Sequence, residues 1–401
     1  MNLEEMKRKY AYTLAKVGLN VQPGQSVLVE ANIEGAAFTP IFAEECYKLG
    51  ASNVIVHYLD EPNMKIAAKY RPDADVRKVE DWEELQCRKY LDEGACYCRL
   101  ESVNPLLMED VPEAQANAIF AHTDAVRNIM RKASREKNCQ WLIAMIPTQH
   151  WAEYILKDVP KEEALDELWK LLFKICYVDE ENDVEATWAE NSRKKGERGK
   201  KLDSYHFTKL HYTAASNGTD LTVMLNPHSR YSFDMQREVP FFPNIPSEEI
   251  ATTPEKYGTE GVVYATKPLL LGGKSIENFG FRFENGKVVE VIANEGREML
   301  EALVAMDEGA AYLGEAALVE YHSPISMSNV VYYTTLIDEN ASCHLALGRG
   351  GFPLSEDSPW HFNYDSVIHI DFMIGTADMR IVGTTKSGEE VVIFDNGDFA
   401  L

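Results

Sequence analysis

The chain has 401 residues, too many for one ordinary core, and 45% of them are hydrophobic, enough to bury two. Its 64 acidic against 40 basic residues leave a formal charge of −24, which excludes a nucleic-acid partner, because phosphates demand a basic surface. Seven scattered cysteines without a pair of Cys-x-x-Cys motifs, an N-terminus without an apolar core, and no apolar run near the ~20 residues of a membrane span predict free buried thiols, no membrane and a cytoplasmic location.

In chain order, Leu3, Met6, Tyr10, Leu14 and Val17 recur at helical spacing, and Gly18 with Pro23-Gly24 stops that helix. Strands are expected at 26–31 and 53–58, with a helix through Phe38, Phe42 and Tyr47 between them. That alternation reads as a βαβ unit of a parallel sheet. The loop 31–35 lies at the carboxyl end of the first strand, where open α/β sheets place functional groups, but one glycine is not a dinucleotide fingerprint. Further helices are expected at 79–91, 112–137 and 161–177, with strands at 95–100 and 140–146. His150, alone at a strand end, is more often structural than a ligand.

A basic run, Asn191-Ser-Arg-Lys-Lys-Gly-Glu-Arg-Gly-Lys-Lys201, interrupts this acidic chain. A phosphate or carboxylate site is one reading; a solvated helix end or linker is the favoured one, and it puts the domain boundary at 195/196. After it the texture is β-rich, with Asn285-Gly286 as a hairpin signal and one helix over 296–307. His206 and His211 sit five apart in strand-like sequence and fit no ligand set. The fold class is therefore α/β: an N-terminal parallel-sheet α/β domain (1–195) followed by a β-rich α+β metal-binding catalytic domain (196–401).

The chemistry concentrates near the C-terminus. In an extended Val367-Ile-His369-Ile-Asp371, residues 367, 369 and 371 share one face, so imidazole and carboxylate aim at a common point. Adding His344, Glu315 and Glu249 gives two imidazoles and three carboxylates. Such an N/O set without thiolate suits one divalent ion, or a pair. Taken singly, a His-x-Asp is more often a satisfied polar pair and a Glu-Glu more often solvated.

Five strings together carry a resemblance: Pro243-Asn-Ile-Pro-Ser-Glu-Glu249, Leu313-Gly-Glu315, Ser323-Pro-Ile-Ser326, Thr335-Leu-Ile-Asp-Glu-Asn-Ala-Ser-Cys-His344-Leu-Ala-Leu-Gly-Arg349 and Ile368-His-Ile-Asp-Phe-Met-Ile-Gly375. With Gly24–Glu30 and Val392–Ala400 it runs nearly end to end, and the chain resembles the M29 family of metallo-aminopeptidases, the aminopeptidase T and aminopeptidase S group. The resemblance implies metal ligands at Glu249, Glu315, His344, His369 and Asp371, two divalent ions (zinc, cobalt, manganese or magnesium) with Glu315 bridging, short peptide substrates and a homodimer. Glu248, beside a ligand, is the general-base candidate nearest by sequence. The chain departs from the family at Gly351, where the pattern has a tyrosine; Tyr364 is a conceivable substitute. Two alternatives stay open: a mononuclear iron-dependent ring-cleaving dioxygenase on the same scaffold, and a non-catalytic metal- or peptide-binding homologue. Retention of both Glu249 and Glu315 favours two ions and hydrolysis.

Overall fold

The computed structural model describes residues 1–72, 78–231, 239–271, 274–355 and 357–401. It divides into two compact units, one of Met1–Ala189 with Met235–Pro246 and one of Glu190–Asp234 with Ser247–Leu401. In chain order the strands are β1 (Ser26–Asn32), β2 (Asn53–Leu59), β3 (Cys96–Glu101), β4 (Trp141–Met145), β5 (Phe207–Ala214), β6 (Thr219–Met224), β7 (Asn244–Ile245) and β8 (Ile250–Thr252). There follow β9 (Thr259–Tyr264), β10 (Leu269–Leu271), β11 (Lys274–Ile276), β12 (Gly280–Glu284), β13 (Lys287–Ile292), β14 (Leu313–Leu318) and β15 (His344–Gly348). The last four are β16 (His369–Met373), β17 (Arg380–Thr385), β18 (Glu390–Asp395) and β19 (Asp398–Phe399).

The first unit holds a five-stranded parallel sheet in the order β2-β1-β3-β4-β7. Helices connect its successive early strands, and β1 is buried along nearly its whole length. A sheet covered on both faces needs such an unbroken apolar run. The first helix, Leu3–Tyr12, begins at a capping box between Asn2 and Glu5, and continues as a π-helical turn to Gly18. All seven cysteines are buried and free.

The basic run is not a linker. It lies within one continuous helix, Val184–Tyr205, anchored by Trp188, whose ring meets Phe242 at 5.3 Å, and by buried Leu202. Arg193 pairs with Glu190 and Glu197 at helical spacing, so charges that read as a break reinforce the helix instead.

The second unit is antiparallel. Its eight-stranded sheet runs β13-β12-β9-β6-β5-β17-β18-β19, and its four-stranded sheet runs β16-β15-β14-β8. Asn285 and Gly286 both take positive φ, 51° and 81°, turning β12 into β13 as the Asn-Gly pair predicts. The two sheets share one apolar core, with Phe281 of β12 edge-on to Phe372 of β16 at 5.2 Å. Ala316, Leu318, Leu345, Leu347 and Phe372 form the small sheet's contribution to that core. Each large side chain buried there contributes roughly 1.5–3 kcal/mol. One face is thereby committed to packing, and the other is left for chemistry.

Candidate metal centre

The register of the small sheet sorts its residues onto two faces. Glu315 of β14 stands opposite Ala346 of β15, which stands opposite Asp371 of β16; Ala317 stands opposite His344, and Gly348 opposite His369. Because side chains alternate along a strand, Glu315, His344, His369 and Asp371 emerge together on the face away from the core. A slip of one residue would bury all four and expose the leucines, so the apolar core locks the register. Val367 is not part of this face: β16 begins at His369, and Val367 lies before it, 69% exposed, its N–H donated to Asp307.

A bulge at Gly314 makes the arrangement possible. Leu313 pairs with Leu347 on the core side, yet Glu315, two residues on, pairs with Ala346 on the open side. One extra residue accounts for that switch. The residue must be glycine, since an added Cβ at Gly314 would collide with the Gly348 carbonyl oxygen. Glu249 arrives from just ahead of β8, on the far side of β14.

Two overlapping triads result, Glu249 with Glu315 and His344, and Glu315 with His369 and Asp371. His344 Nε2 lies 3.2 Å from Glu249 Oε2 and 3.9 Å from Glu315 Oε1. His369 Nε2 lies 3.4 Å from Glu315 Oε2 and 3.4 Å from Asp371 Oδ1. The two oxygens of Glu315 are thus divided between the two imidazoles. On the far side of each ring, Nδ1–H donates to a carbonyl, Ser342 O at 3.3 Å for His344 and Arg349 O at 2.6 Å for His369. Both Nε2 atoms are left to face the carboxylates, which is the tautomer a metal ligand requires.

The cluster sets three carboxylates, Glu249, Glu315 and Asp371, against two imidazoles, His344 and His369. Burial, and then the Glu249 and Asp371 charges, push the Glu315 carboxyl up to about 7. Burial opposes charge on His344, but the hydrogen bond to Glu249 and the three carboxylates override it and raise the imidazole to about 9. His369 is likewise raised to about 9, burial being outweighed by Asp371 and Glu315. Burial resists ionisation of Asp371, yet the His369 hydrogen bond holds it below its ordinary value. Protons and divalent cations would compete for these same groups.

Three further residues bear on the cluster. Asn340, wholly buried, accepts the backbone N–H groups of Glu248 and Glu249 on its Oδ1 at 2.6 and 3.2 Å. Glu339, in neither triad, has its carboxyl raised well above the usual range by burial and by the charges of Asp371, Glu249 and Glu315. Lys195 shares with Glu249 and Glu315 a cavity of about 630 Å³, and burial lowers its ammonium against the pull of Glu248 and Glu249. Sequence reasoning assigned none of the three a role. Asn340 and Glu339 stand inside the string that carries His344, and Lys195 inside the basic run, but nothing in a string shows which side chain turns inward. Glu248 is half-buried and belongs to neither triad. Tyr364 is 45% exposed and likewise belongs to neither.

Two imidazole–carboxylate triads joined through one glutamate, on the β-rich unit of a chain that also holds a parallel α/β unit, define a metalloenzyme of the N/O-ligand class. The thermophilic metalloprotease (M29) family model matches residues 3–399. Aminopeptidase AmpS of Bacillus subtilis is 36% identical over 402 residues, covering 98% of this chain and 97% of that one. A solved structure, wild-type AmpT from Thermus thermophilus, matches with a TM-score of 0.88 at 29% identity over the whole of both chains. A 2,5-dihydroxypyridine dioxygenase from Pseudomonas putida KT2440 shares the fold at a TM-score of 0.55 and 12% identity, covering all of this chain and 98% of that one. The chain belongs to the M29 family and is an enzyme of its metallo-aminopeptidase type.

Proposed function

We propose that the chain removes the N-terminal residue from short peptides by hydrolysis at a pair of divalent ions held in its second unit, with residues 196–401 forming the catalytic domain. Glu249, Glu315 and His344 would hold one ion, and Glu315, His369 and Asp371 the other. Glu315 is the bridge in this reading. The observation that carries it is the division of the Glu315 oxygens, Oε1 toward His344 and Oε2 toward His369. Zinc, cobalt, manganese and magnesium all accept such a set. When bound, such a pair activates a water near neutral pH, polarises a carbonyl and receives a free amine.

The chain's own groups supply the rest. The Ser342 and Arg349 carbonyls fix the two imidazole tautomers from behind, so that each Nε2 presents its lone pair to the site. For the general base we prefer Glu339 to Glu248. Glu248 belongs to neither triad, and its backbone N–H shares Asn340 Oδ1 with that of Glu249. Glu339 lies outside both triads, and the charges of Asp371, Glu249 and Glu315 with burial hold its carboxyl in the protonated form; once cations offset those charges it would ionise, and could then take a proton from the attacking water and pass it to the leaving amine.

Among the described residues no helix is long and apolar enough to cross a membrane. A cytoplasmic location and a homodimer belong to the reading, the latter checked by sedimentation. The dioxygenase alternative has only a shared fold behind it, and a mononuclear site would leave one triad without use.

Turnover of aminoacyl-anilides and their N-acetylated counterparts tests the reading, using metal-stripped protein reconstituted with each ion, alongside Glu315→Gln. Cleavage should require both a free amine and added metal, and should vanish in the variant. Cleavage of the acetylated compounds, or full activity without metal, would remove it.

A further inference from the structure

The helix Val184–Tyr205 carries six cations, and three of them are neutralised within the second unit. Arg193 pairs with Glu190 and Glu197, Lys194 with Glu190, and Arg198 with Glu320. Lys195 and Lys200 differ. Neither has a carboxylate within ion-pair distance among the described residues, and both line the cavity that Glu249 and Glu315 also line.

Lys195 is the more telling of the two. Its Nζ donates to the Ser247 carbonyl oxygen at 2.7 Å and to the Ser247 hydroxyl at 3.2 Å. An ammonium has three N–H donors, so two hydrogen bonds leave one to spend. Glu248 and Glu249 pull on this half-buried cation through space, but its direct partners are a carbonyl and a hydroxyl, so its third N–H is open to a further acceptor. A carboxylate entering the cavity would supply one.

The cavity therefore carries both signs of charge. Glu249 and Glu315, which the reading above gives to metal and to the substrate amine, share its wall with Lys195 and Lys200, and Ile250, Gly351 and Phe352 line neutral surface. A peptide with a free amine and a free carboxylate presents the complementary charges at its own two ends. At about 630 Å³ the space falls within the range for small, drug-sized ligands, which sets the length at two or three residues rather than a long chain.

We propose that Lys195, assisted by Lys200, receives the C-terminal carboxylate of a di- or tripeptide, making the enzyme selective for short peptides with a free C-terminus. The proposal rests on the aminopeptidase reading. It also gives the basic run a purpose that solvation alone does not.

The test is the ratio of kcat/KM for Leu-Gly to that for its C-terminal amide, measured on the metal-loaded full chain for the wild type, Lys195→Met, Lys195→Arg and Lys200→Met, with metal content recorded for each. The wild type should prefer the free acid by about 10- to 100-fold, the worth of a hydrogen bond to a charged group, chiefly through KM. Lys195→Met should bring the ratio toward one, Lys195→Arg should keep most of it, and Lys200→Met should reduce it. A wild-type ratio near one overturns the proposal. So does an unchanged ratio in Lys195→Met, even with lowered rates, since that is what a lysine serving only to hold Ser247 would produce. If Lys195→Met does not fold, the wild-type ratio and Lys200→Met decide. A metal-loaded wild type that cleaves neither peptide overturns the aminopeptidase reading itself, a different result from cleavage without preference.

Discussion

The side-chain oxygen of Asn340 accepts the backbone N–H of Glu249 at 3.2 Å, so a residue 91 positions further along the chain fixes where that ligand's main chain begins. The same oxygen takes the Glu248 N–H at 2.6 Å, and the amide's Nδ2 donates to the Leu336 carbonyl. Asn340→Ala leaves two inward N–H groups without that partner. The expected loss is about 1–3 kcal/mol of stability and about 10- to 100-fold in metal affinity. Chelator competition and thermal denaturation measure the two separately, and unchanged metal affinity would deny Asn340 its positioning role.

The sequence exposed one half of the cluster better than the other. His369 and Asp371 sit at a spacing of two, which in a strand is a statement about geometry, and the structure puts both on one face of β16. Glu249 and Glu315 could be joined to them only through the family resemblance, because their convergence depends on a register and on the Gly314 bulge, which periodicity does not encode. Asn340 and Glu339 were hidden for a related reason: both lie in a short helical turn whose inward side is set by packing. Lys195 looks like its neighbours in a run of charges, because only the tertiary structure separates the cations that line a cavity, Lys195 and Lys200, from those that pair with carboxylates.

His369 offers a second prediction. Its Nδ1–H is committed to Arg349 O at 2.6 Å, and its Nε2 serves only the triad with Asp371. His369→Ala should reduce bound metal from two ions to one per chain while the Glu249–Glu315–His344 triad keeps its ion. Losing one ion removes several kcal/mol of charge stabilisation, so kcat should fall by about 10²- to 10³-fold. Elemental analysis of the purified variant gives the count. Two ions per chain in the variant would contradict the assignment of His369.

The metal-free chain should lose stability as pH rises. Glu315 is raised from 4.5 to about 7, and the two histidines from 6.5 to about 9. A group whose folded pKa lies above its unfolded value binds more protons when folded, so its stabilisation is full below the unfolded value and fades as pH climbs through the folded one. For this cluster the window runs from about pH 4.5 through 9. Metal ions replace those protons, so the increment in Tm on adding metal should widen across the same window. Melting curves with and without chelator at pH 5, 7 and 9 read this directly. An increment that stays constant or narrows would show that the cluster does not couple protons to metal in this way.

Ala346 stands between Glu315 and Asp371 in the register, and its small side chain leaves the centre of the face clear. Ala346→Leu would push a branched side chain into the space the ligands share. Overpacking of this kind costs about 1–3 kcal/mol, which a core as large as the second unit's can bear. The variant should fold, yet bind little metal and lose activity. Circular dichroism alongside metal analysis separates this outcome from simple unfolding. Retained metal with lost activity would place the steric effect on substrate instead.

The resemblance drawn from the sequence expects a tyrosine at Gly351, and the backbone explains why placing one there should do harm. Its φ is +71°, in the region that L residues adopt at a cost of about 1–3 kcal/mol. A Cβ at this position would also lie 2.8 Å from the Phe362 ring and 2.9 Å from Thr253 Cγ2, and Phe362 is buried with Phe352 edge-on to it at 5.3 Å. Gly351→Ala carries the conformational cost and the Cβ contact; Gly351→Tyr adds a ring beside the cavity. Both should lower Tm by several degrees, and neither should raise kcat. A Gly351→Tyr variant that turned over substrate faster at an unchanged Tm would mean that this loop relaxes to accept the family's tyrosine, and that the site lacks a group it can use.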